Sequence, residues 1–272
     1  MNRCLNIIIL YDNTNDVIHY LLDACHKQEC YVDFAVVINK DTDHIGEKKL
    51  LKLKQEVSSN IYIFDFNENI GYMNSLLFVL QENRGFLDDY KYIILSNTDI
   101  VYKTPQFFQK LLNKNYEKNI GVIAPSVYAT KSCSYSNPHY LNRISDNKII
   151  QLIKIFSSPK LSAVYVQLSD LKAKFKKTKE MDSCYVYSPH GCYMIFSSDF
   201  LKKIYGWKYG VKMYSEESFV GELLRLKNMQ CYFDSTLKVV HNERAVTGTL
   251  NYTQKFKYMS ESLRYIYNTF YK

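Results

Sequence analysis

Apolar runs of strand length alternate with polar turns and helix-spaced apolar residues through the N-terminal part of the chain. Residues 5–10 (LNIIIL), 34–38 (FAVVI), 61–66 (IYIFDF) and 92–95 (YIIL) are short and mostly apolar, the pattern of strands buried on both faces. Turn formers from Asp12 to Asp16 follow the first run, and Val17, Ile18, Leu21 and Leu22 then recur at helical spacing. Asn69-Ile70-Gly71-Tyr72 follows the third run and opens a helix predicted to reach about residue 80. Strands alternating with helices predict an α/β fold, with a mostly parallel sheet and helices on both faces.

From about residue 127 to 182 this pattern weakens. Ser and Asn cluster around residues 133–138, residues 149–156 (IIQLIKIF) are apolar, and residues 171–179 (LKAKFKKTK) are strongly basic. The stretch reads as a partly helical insertion over the site. Regular structure resumes with a strand at 192–196 (CYMIF), a helix from about Glu217 to Lys227, a strand around 232–240 and a C-terminal helix over 252–271.

Sheets of this kind bind ligands beyond the carboxyl ends of their strands. Those ends carry Tyr11, Asp12, Asn39, Asp41, Asn69, Gly71, Asn97 and Asp99. One polar loop is ordinary; four in series point to a site. Asn97-Thr98-Asp99 puts a carboxylate at a strand end, where it suits a hard divalent cation, or equally a turn. Glu216-Glu217 places two acids before a helix. Mutual repulsion raises one pKa toward the range of a general base, and a helix N-terminus also favours acids for its own sake. His241 ends an apolar run and suits a metal or a diphosphate, or a structural role. In His190-Gly191 the glycine allows a ligand or a neighbouring chain to come close.

Taken in order, Asn-x-Gly-Tyr, Asn-x-Asp, His-Gly-x-x-Met, Tyr-x-Glu-Glu and Val-Val-His resemble glycosyltransferase family 2, closest to bacterial members that build capsule, O-antigen or related surface polysaccharides. The resemblance implies a single GT-A domain. Residues 1–126 form its nucleotide-sugar half, 127–182 a variable insertion, 183–244 the acceptor and catalytic half, and 245–272 a helical tail. It implies an inverting enzyme with a nucleotide-sugar donor, UDP- or dTDP-linked, a glycan or lipid-linked acceptor, and a Mn2+ or Mg2+ cofactor. Asp99 then binds the metal on the diphosphate, with His241 beside it. Tyr11, Asn39, Asp41, Asn69, Gly71 and Asn97 face the nucleotide sugar, His190 and Gly191 flank the acceptor side, and Glu217 is the general base next to Glu216. The sequence departs from the family pattern in places. Asn39 or Asp41 stands where a base-recognising Asp is usual, Asn74 is only near the position of a second loop Asn, and the base is Glu rather than Asp.

Composition narrows the alternatives. A formal charge of +8 favours anionic partners. The lysines at 172, 174, 176, 177 and 179, with the Tyr/Lys-rich tail, suit docking on an anionic membrane, or form a solvated helix face. Seven dispersed cysteines without a CxxC pair suit a reducing cytosol rather than a disulfide framework or a zinc site. The N-terminal residues enter a strand directly, so no signal peptide is expected. The 25 tyrosines, in a chain rich in Lys, Asn and Ile, read mainly as codon bias. A sugar nucleotidyltransferase normally carries a Gly-rich basic loop after its first strand, and residues 10–14 hold neither Gly nor Lys. A non-enzymatic basic protein on membrane or nucleic acid is the other alternative, but no nucleic-acid motif is present.

Overall fold

The computed structural model describes residues 3–28, 31–66, 68–175, 178–243 and 251–272, and the side chains of 27, 28, 170 and 172–175 fall outside the description. The N-terminal half runs β1 (Cys4–Tyr11), α1 (Thr14–Gln28), β2 (Val32–Lys40), α2 (Ile45–Glu56), β3 (Ile61–Asp65), α3 (Tyr72–Glu82), α4 (Phe86–Asp89), β4 (Tyr92–Ser96) and β5 (Ile100–Tyr102). It continues with α5 (Phe107–Asn113), β6 (Ile120–Ala129), β7 (Ser134–Tyr135), α6 (Asp146–Phe156), α7 (Pro159–Phe175) and β8 (Cys184–Val186). The chain ends with β9 (Tyr193–Ser197), α8 (Ser198–Lys203), α9 (Glu216–Leu226), β10 (Gln230–His241) and α10 (Tyr252–Phe270).

The strands form one sheet in the order β3-β2-β1-β4-β9-β6-β10-β5, with β7 on β6 and β8 on β10. β1, β2, β3 and β4 pair in parallel, as the alternation of strands and helices predicts. β9 enters antiparallel between β4 and β6, while β6 and β10 are parallel to each other. Along the path, β3, β2, β1, β4, β6 and β10 therefore run one way, and β9 and β5 the other. The fold is α/β of the GT-A type.

Both faces of the central strands are buried, which explains their unbroken apolar runs. Leu5 and Ile7 of β1, Val37 of β2 and Leu95 of β4 face a core closed by α3, α8, α9 and α10. Ile8, Leu10, Val36 and Ile94 face a second core under α1, α2 and α5. A polar network crosses this second core. Asn6 Nδ2 donates to Tyr20 at 2.6 Å, Tyr20 and Tyr102 lie 2.6 Å apart, Ser96 donates to Asn6 Oδ1 at 3.1 Å, and Tyr102 meets Tyr193 at 3.2 Å. Several tyrosines are thus internal hydrogen-bonding links, a use that composition alone does not reveal.

The stretch 127–182 divides: β6 continues to Ala129, Asn137 Oδ1 accepts from His190 N at 2.8 Å and the His139 ring lies 5.2 Å from that of His190, while α6 and α7 pack with α10, so that Ile149 and Phe156 join the core. Asp41 is a helix cap whose carboxylate accepts from the N–H groups of Gly46 at 3.1 Å and Glu47 at 3.0 Å. The tail helix α10 packs one face into the fold, with Phe256, Leu263 and Ile266 buried. The basic run falls largely outside the description, with Lys176 and Lys177 unplaced and the side chains of Lys172 and Lys174 undescribed. The described cysteines, Cys4, Cys25, Cys133, Cys184, Cys192 and Cys231, are free, and Cys30 lies outside the described residues.

A buried ionic knot ties the C-terminal half together. Glu222 of α9, fully buried, accepts from Arg143 Nε at 2.6 Å, Arg225 Nε at 3.0 Å and Tyr187 Oη at 2.8 Å. The Arg143 guanidinium also sits 3.7 Å from the Tyr271 ring centroid. Arg143→Met should destabilise the protein by about 2–3 kcal/mol, less than an isolated buried pair because Arg225 remains. Thermal denaturation measures it. A loss under about 1 kcal/mol would show that the knot contributes little, and adding Glu222→Leu should recover most of the loss.

Candidate active site

A cavity of about 580 Å³ opens at the carboxyl edge of the parallel strands. Tyr11 comes from the end of β1, Asn39 from β2, Ser96 to Asp99 from the end of β4, and His241 from the end of β10. Because β9 is antiparallel, its leading residues His190, Gly191 and Cys192 arrive at the same edge. Glu216 and Glu217 enter from the start of α9, and Tyr258 from α10. Tyr11, Asn39, Asn69, Gly71, Asn97, Asp99, His190, Gly191, Glu216, Glu217 and His241 all line it, so these sequence candidates meet in one place. Asp41 does not.

The cavity is held by short-range constraints. Asn97 N donates to Cys192 O at 2.9 Å, joining the β4 loop to β9. His241 pairs with Ile100 across the β10–β5 ladder, and Asn242 N donates to Asp99 O at 2.9 Å. Asp99 Oδ1 and His241 Nε2 thereby come within 3.1 Å. Gly191 N donates to Glu217 Oε1 at 3.1 Å, and a Cβ on Gly191 would stand 2.8 Å from that oxygen, so a larger residue would displace the Glu217 carboxyl. Gly71 sits at φ +89°, and a Cβ there would collide with Lys212 O at 2.1 Å.

Asn74 fixes the segment that leads into the acid pair. Its Nδ2 donates to Tyr209 O at 3.0 Å, and its Oδ1 accepts from Tyr209 N at 3.1 Å. Tyr214 (φ 69°) and Ser215 (φ 61°) then take left-handed conformations in succession immediately before Glu216. Such positions cost about 1–3 kcal/mol each and concentrate at functional sites. Sequence reasoning placed Asn74 only near the position of a second loop Asn, held Tyr72 and Tyr214 in its motifs without a role and missed Lys212; Tyr72, Lys212 and Tyr214 line the cavity. An Asn three residues past a glycine, on the first turn of a helix, was the available signal.

Electrostatics separate the two acids. Burial, and then the charge of Glu217, push the Glu216 carboxyl up from 4.5 to about 8. Glu216 is therefore protonated at neutral pH, and the Gly191 amide donates to Glu217 Oε1. Burial lowers His190 from 6.5 to about 4, against the opposing charge of Glu217, so His190 is neutral; its Nδ1 accepts from Cys192 N at 3.2 Å.

Among the described residues, five buried side-chain atoms have no hydrogen-bond partner. Four of them, Asn39 Oδ1, Tyr72 Oη, Asp99 Oδ1 and Tyr214 Oη, belong to residues lining this cavity. Buried polar atoms are ordinarily satisfied, so a cluster of four marks a place built for a polar ligand. Among the described residues no group of three His, Cys, Asp or Glu is placed to hold a metal; Asp99 and His241 form a partial set.

No protein-family model matches the chain, nor does any curated protein. Solved structures do match. One is the mannosyltransferase PcManGT from Pyrobaculum calidifontis in complex with GDP-Man and Mn2+, with TM-score 0.52 and 10% identity over 88% of this chain and 56% of that one. Another is GalNAc-T7 with UDP, GalNAc and Mn2+, with TM-score 0.60 and 11% identity over 98% of this chain and 48% of that one. A third is S. aureus TarS 1-349, with TM-score 0.56 and 12% identity over 98% of this chain and 72% of that one. The chain spans about half the length of the first two. Likeness at this identity shows the GT-A fold.

Glu216 makes the stability pH-dependent. Below pH 4.5 its carboxyl is protonated in both folded and unfolded chains. Above that, the unfolded chain releases the proton while the folded one holds it to about pH 8, so stability falls across this window. Glu216→Gln should match wild type near pH 4 and be more stable near pH 9, by up to about 4 kcal/mol. Denaturant melts across pH measure the difference, and parallel curves would contradict the burial of this acid.

Proposed function

We propose that the chain is an inverting glycosyltransferase, moving a sugar from a nucleotide-sugar donor to the hydroxyl of a glycan or lipid-linked glycan acceptor in surface-polysaccharide synthesis. The observation that carries this reading is the cluster of unsatisfied polar atoms in one cavity, beside an acid pair in which burial keeps Glu216 protonated and the Gly191 amide meets Glu217. The neighbours of known structure include complexes with GDP-Man and with UDP, which supports a nucleotide-sugar donor.

The residues divide the work by position. Asn39 Nδ2 is committed to Asn69 Oδ1 at 3.3 Å, which leaves Asn39 Oδ1 as a free buried acceptor. That oxygen suits an imide N–H such as a uracil or thymine base carries, and so a UDP- or dTDP-sugar. At the other end, the Glu217 carboxylate takes the proton of the acceptor hydroxyl as that oxygen bonds to the anomeric carbon. The bond from that carbon to the diphosphate breaks with its electron pair going to the diphosphate, and attack from the opposite face inverts the configuration. Glu216, protonated, cannot serve as base without first losing its own proton, and is left to donate a hydrogen bond.

The leaving diphosphate needs positive charge. Asp99 Oδ1 and His241 Nε2, 3.1 Å apart in the cavity wall, would hold a divalent cation there. When bound, such a cation would supply charge neutralisation to the diphosphate. A second reading follows from the partial ligand set: His241, paired with Asp99, and Lys212 at the cavity wall face the diphosphate without metal.

Glu217→Gln should lower kcat by roughly a hundredfold or more with donor affinity nearly intact, and Glu216→Gln should do less to turnover. Near-normal turnover in Glu217→Gln with a dead Glu216→Gln would reverse the assignment, and near-normal turnover in both would overturn the mechanism. Calorimetric titration of nucleoside diphosphate with and without Mn2+ separates the two readings of the diphosphate site. Metal dependence that is lost in Asp99→Ala supports the cation. Affinity indifferent to Mn2+ in wild type supports His241 and Lys212.

A further inference from the structure

α7 carries an apolar stripe that nothing in the fold covers. Leu161, Val164, Leu168 and Leu171 are 53%, 55%, 61% and 51% exposed. Their 3-4-3 spacing puts them on one face of the helix, over roughly 15 Å of its length. The other face does the structural work, with Ser162 buried and Tyr165 and Val166 packed against the core. Large aliphatic residues scattered singly on a surface need no explanation, but four in register do.

Charge in the sequence around the stripe is mainly positive, with Asp170 the one acid between Leu161 and Leu171. Between Asp146 and Asp170 the sequence holds no acid, and its only charges are Lys148, Lys154 and Lys160, all exposed. Beyond the stripe the sequence carries lysine at 172, 174, 176, 177 and 179, of which Lys179 is exposed in the described part. A second copy of this chain would bring like charges together, so self-association is disfavoured. Among the described residues no single helix is long and apolar enough to cross a membrane, and the α6–α7 pair is bent by 115°. An apolar face with a cationic margin, on a helix that is not itself long and apolar enough to span, matches a helix lying in a membrane interface.

We propose that α7 docks flat on an anionic phospholipid bilayer, with Leu161, Val164, Leu168 and Leu171 in the boundary between headgroups and acyl chains and the neighbouring lysines on the phosphates. The surface is separate from the cavity, whose lining includes no residue of α6 or α7. The inference therefore stands whether or not the cavity transfers sugar.

Vesicle flotation of the full chain tests it. The protein should float with phosphatidylcholine vesicles containing phosphatidylglycerol and stay behind with phosphatidylcholine alone. Leu168→Glu should lower partition at least tenfold with an unchanged melting temperature, since Leu168 is exposed. Lys160→Glu should weaken binding more at low salt than at high salt. Equal flotation with neutral and anionic vesicles, or Leu168→Glu partitioning like wild type, would overturn the proposal. A dimer in light scattering that Leu168→Glu dissolves would overturn it too, by assigning the stripe to a second copy.

Discussion

The antiparallel entry of β9 between β4 and β6 sets the rest of the molecule. A parallel strand in that place would deliver its carboxyl end to the cavity. The antiparallel one delivers its leading residues, and the 2.9 Å bond from Asn97 N to Cys192 O locks them to the β4 loop. His190 and Gly191 thereby stand beside Asp99, and the Gly191 amide meets Glu217. Without that reversal Glu217, in the acid pair at the start of α9, would have no amide donor from Gly191.

The site is costly in itself. It holds a buried acid, two consecutive left-handed residues and four unsatisfied polar atoms. Its surroundings hold it by over-determination. The Asn6, Tyr20, Ser96, Tyr102 and Tyr193 network lies below the β4 loop, and Asn74 grips the segment leading to Glu216. The Glu222 knot anchors the same helix α9 farther along. Rigid support around a strained and under-satisfied centre is the arrangement expected where a ligand completes the bonding.

Much of this was legible in the sequence, for physical reasons. A strand buried on both faces must be apolar throughout, so residues 5–10 and 34–38 declare themselves, and polar residues at their ends mark the ligand edge. Strand direction leaves no trace in such a run, so the reversal at β9 was invisible. Asp41 and Asp99 both follow strands, and only the nearby N–H groups of Gly46 and Glu47 make the first a cap. The sequence motifs contain Tyr72 and Tyr214 but give them no role, because an orphaned hydroxyl shows only when the atoms around it are known. The helices of 127–182 were recognisable, but their packing on α10 rather than over the cavity was not.

The central claim is that the unsatisfied atoms of this cavity await a nucleoside diphosphate. The most direct measurement is the melting temperature of the full chain with UDP, dTDP and GDP, each with and without manganese. A ligand that binds only the folded state must raise it. The account predicts a rise of several degrees with UDP or dTDP and a smaller one, or none, with GDP, because Asn39 Oδ1 is placed to receive a pyrimidine imide N–H. No shift with any of the three at millimolar concentration would contradict it.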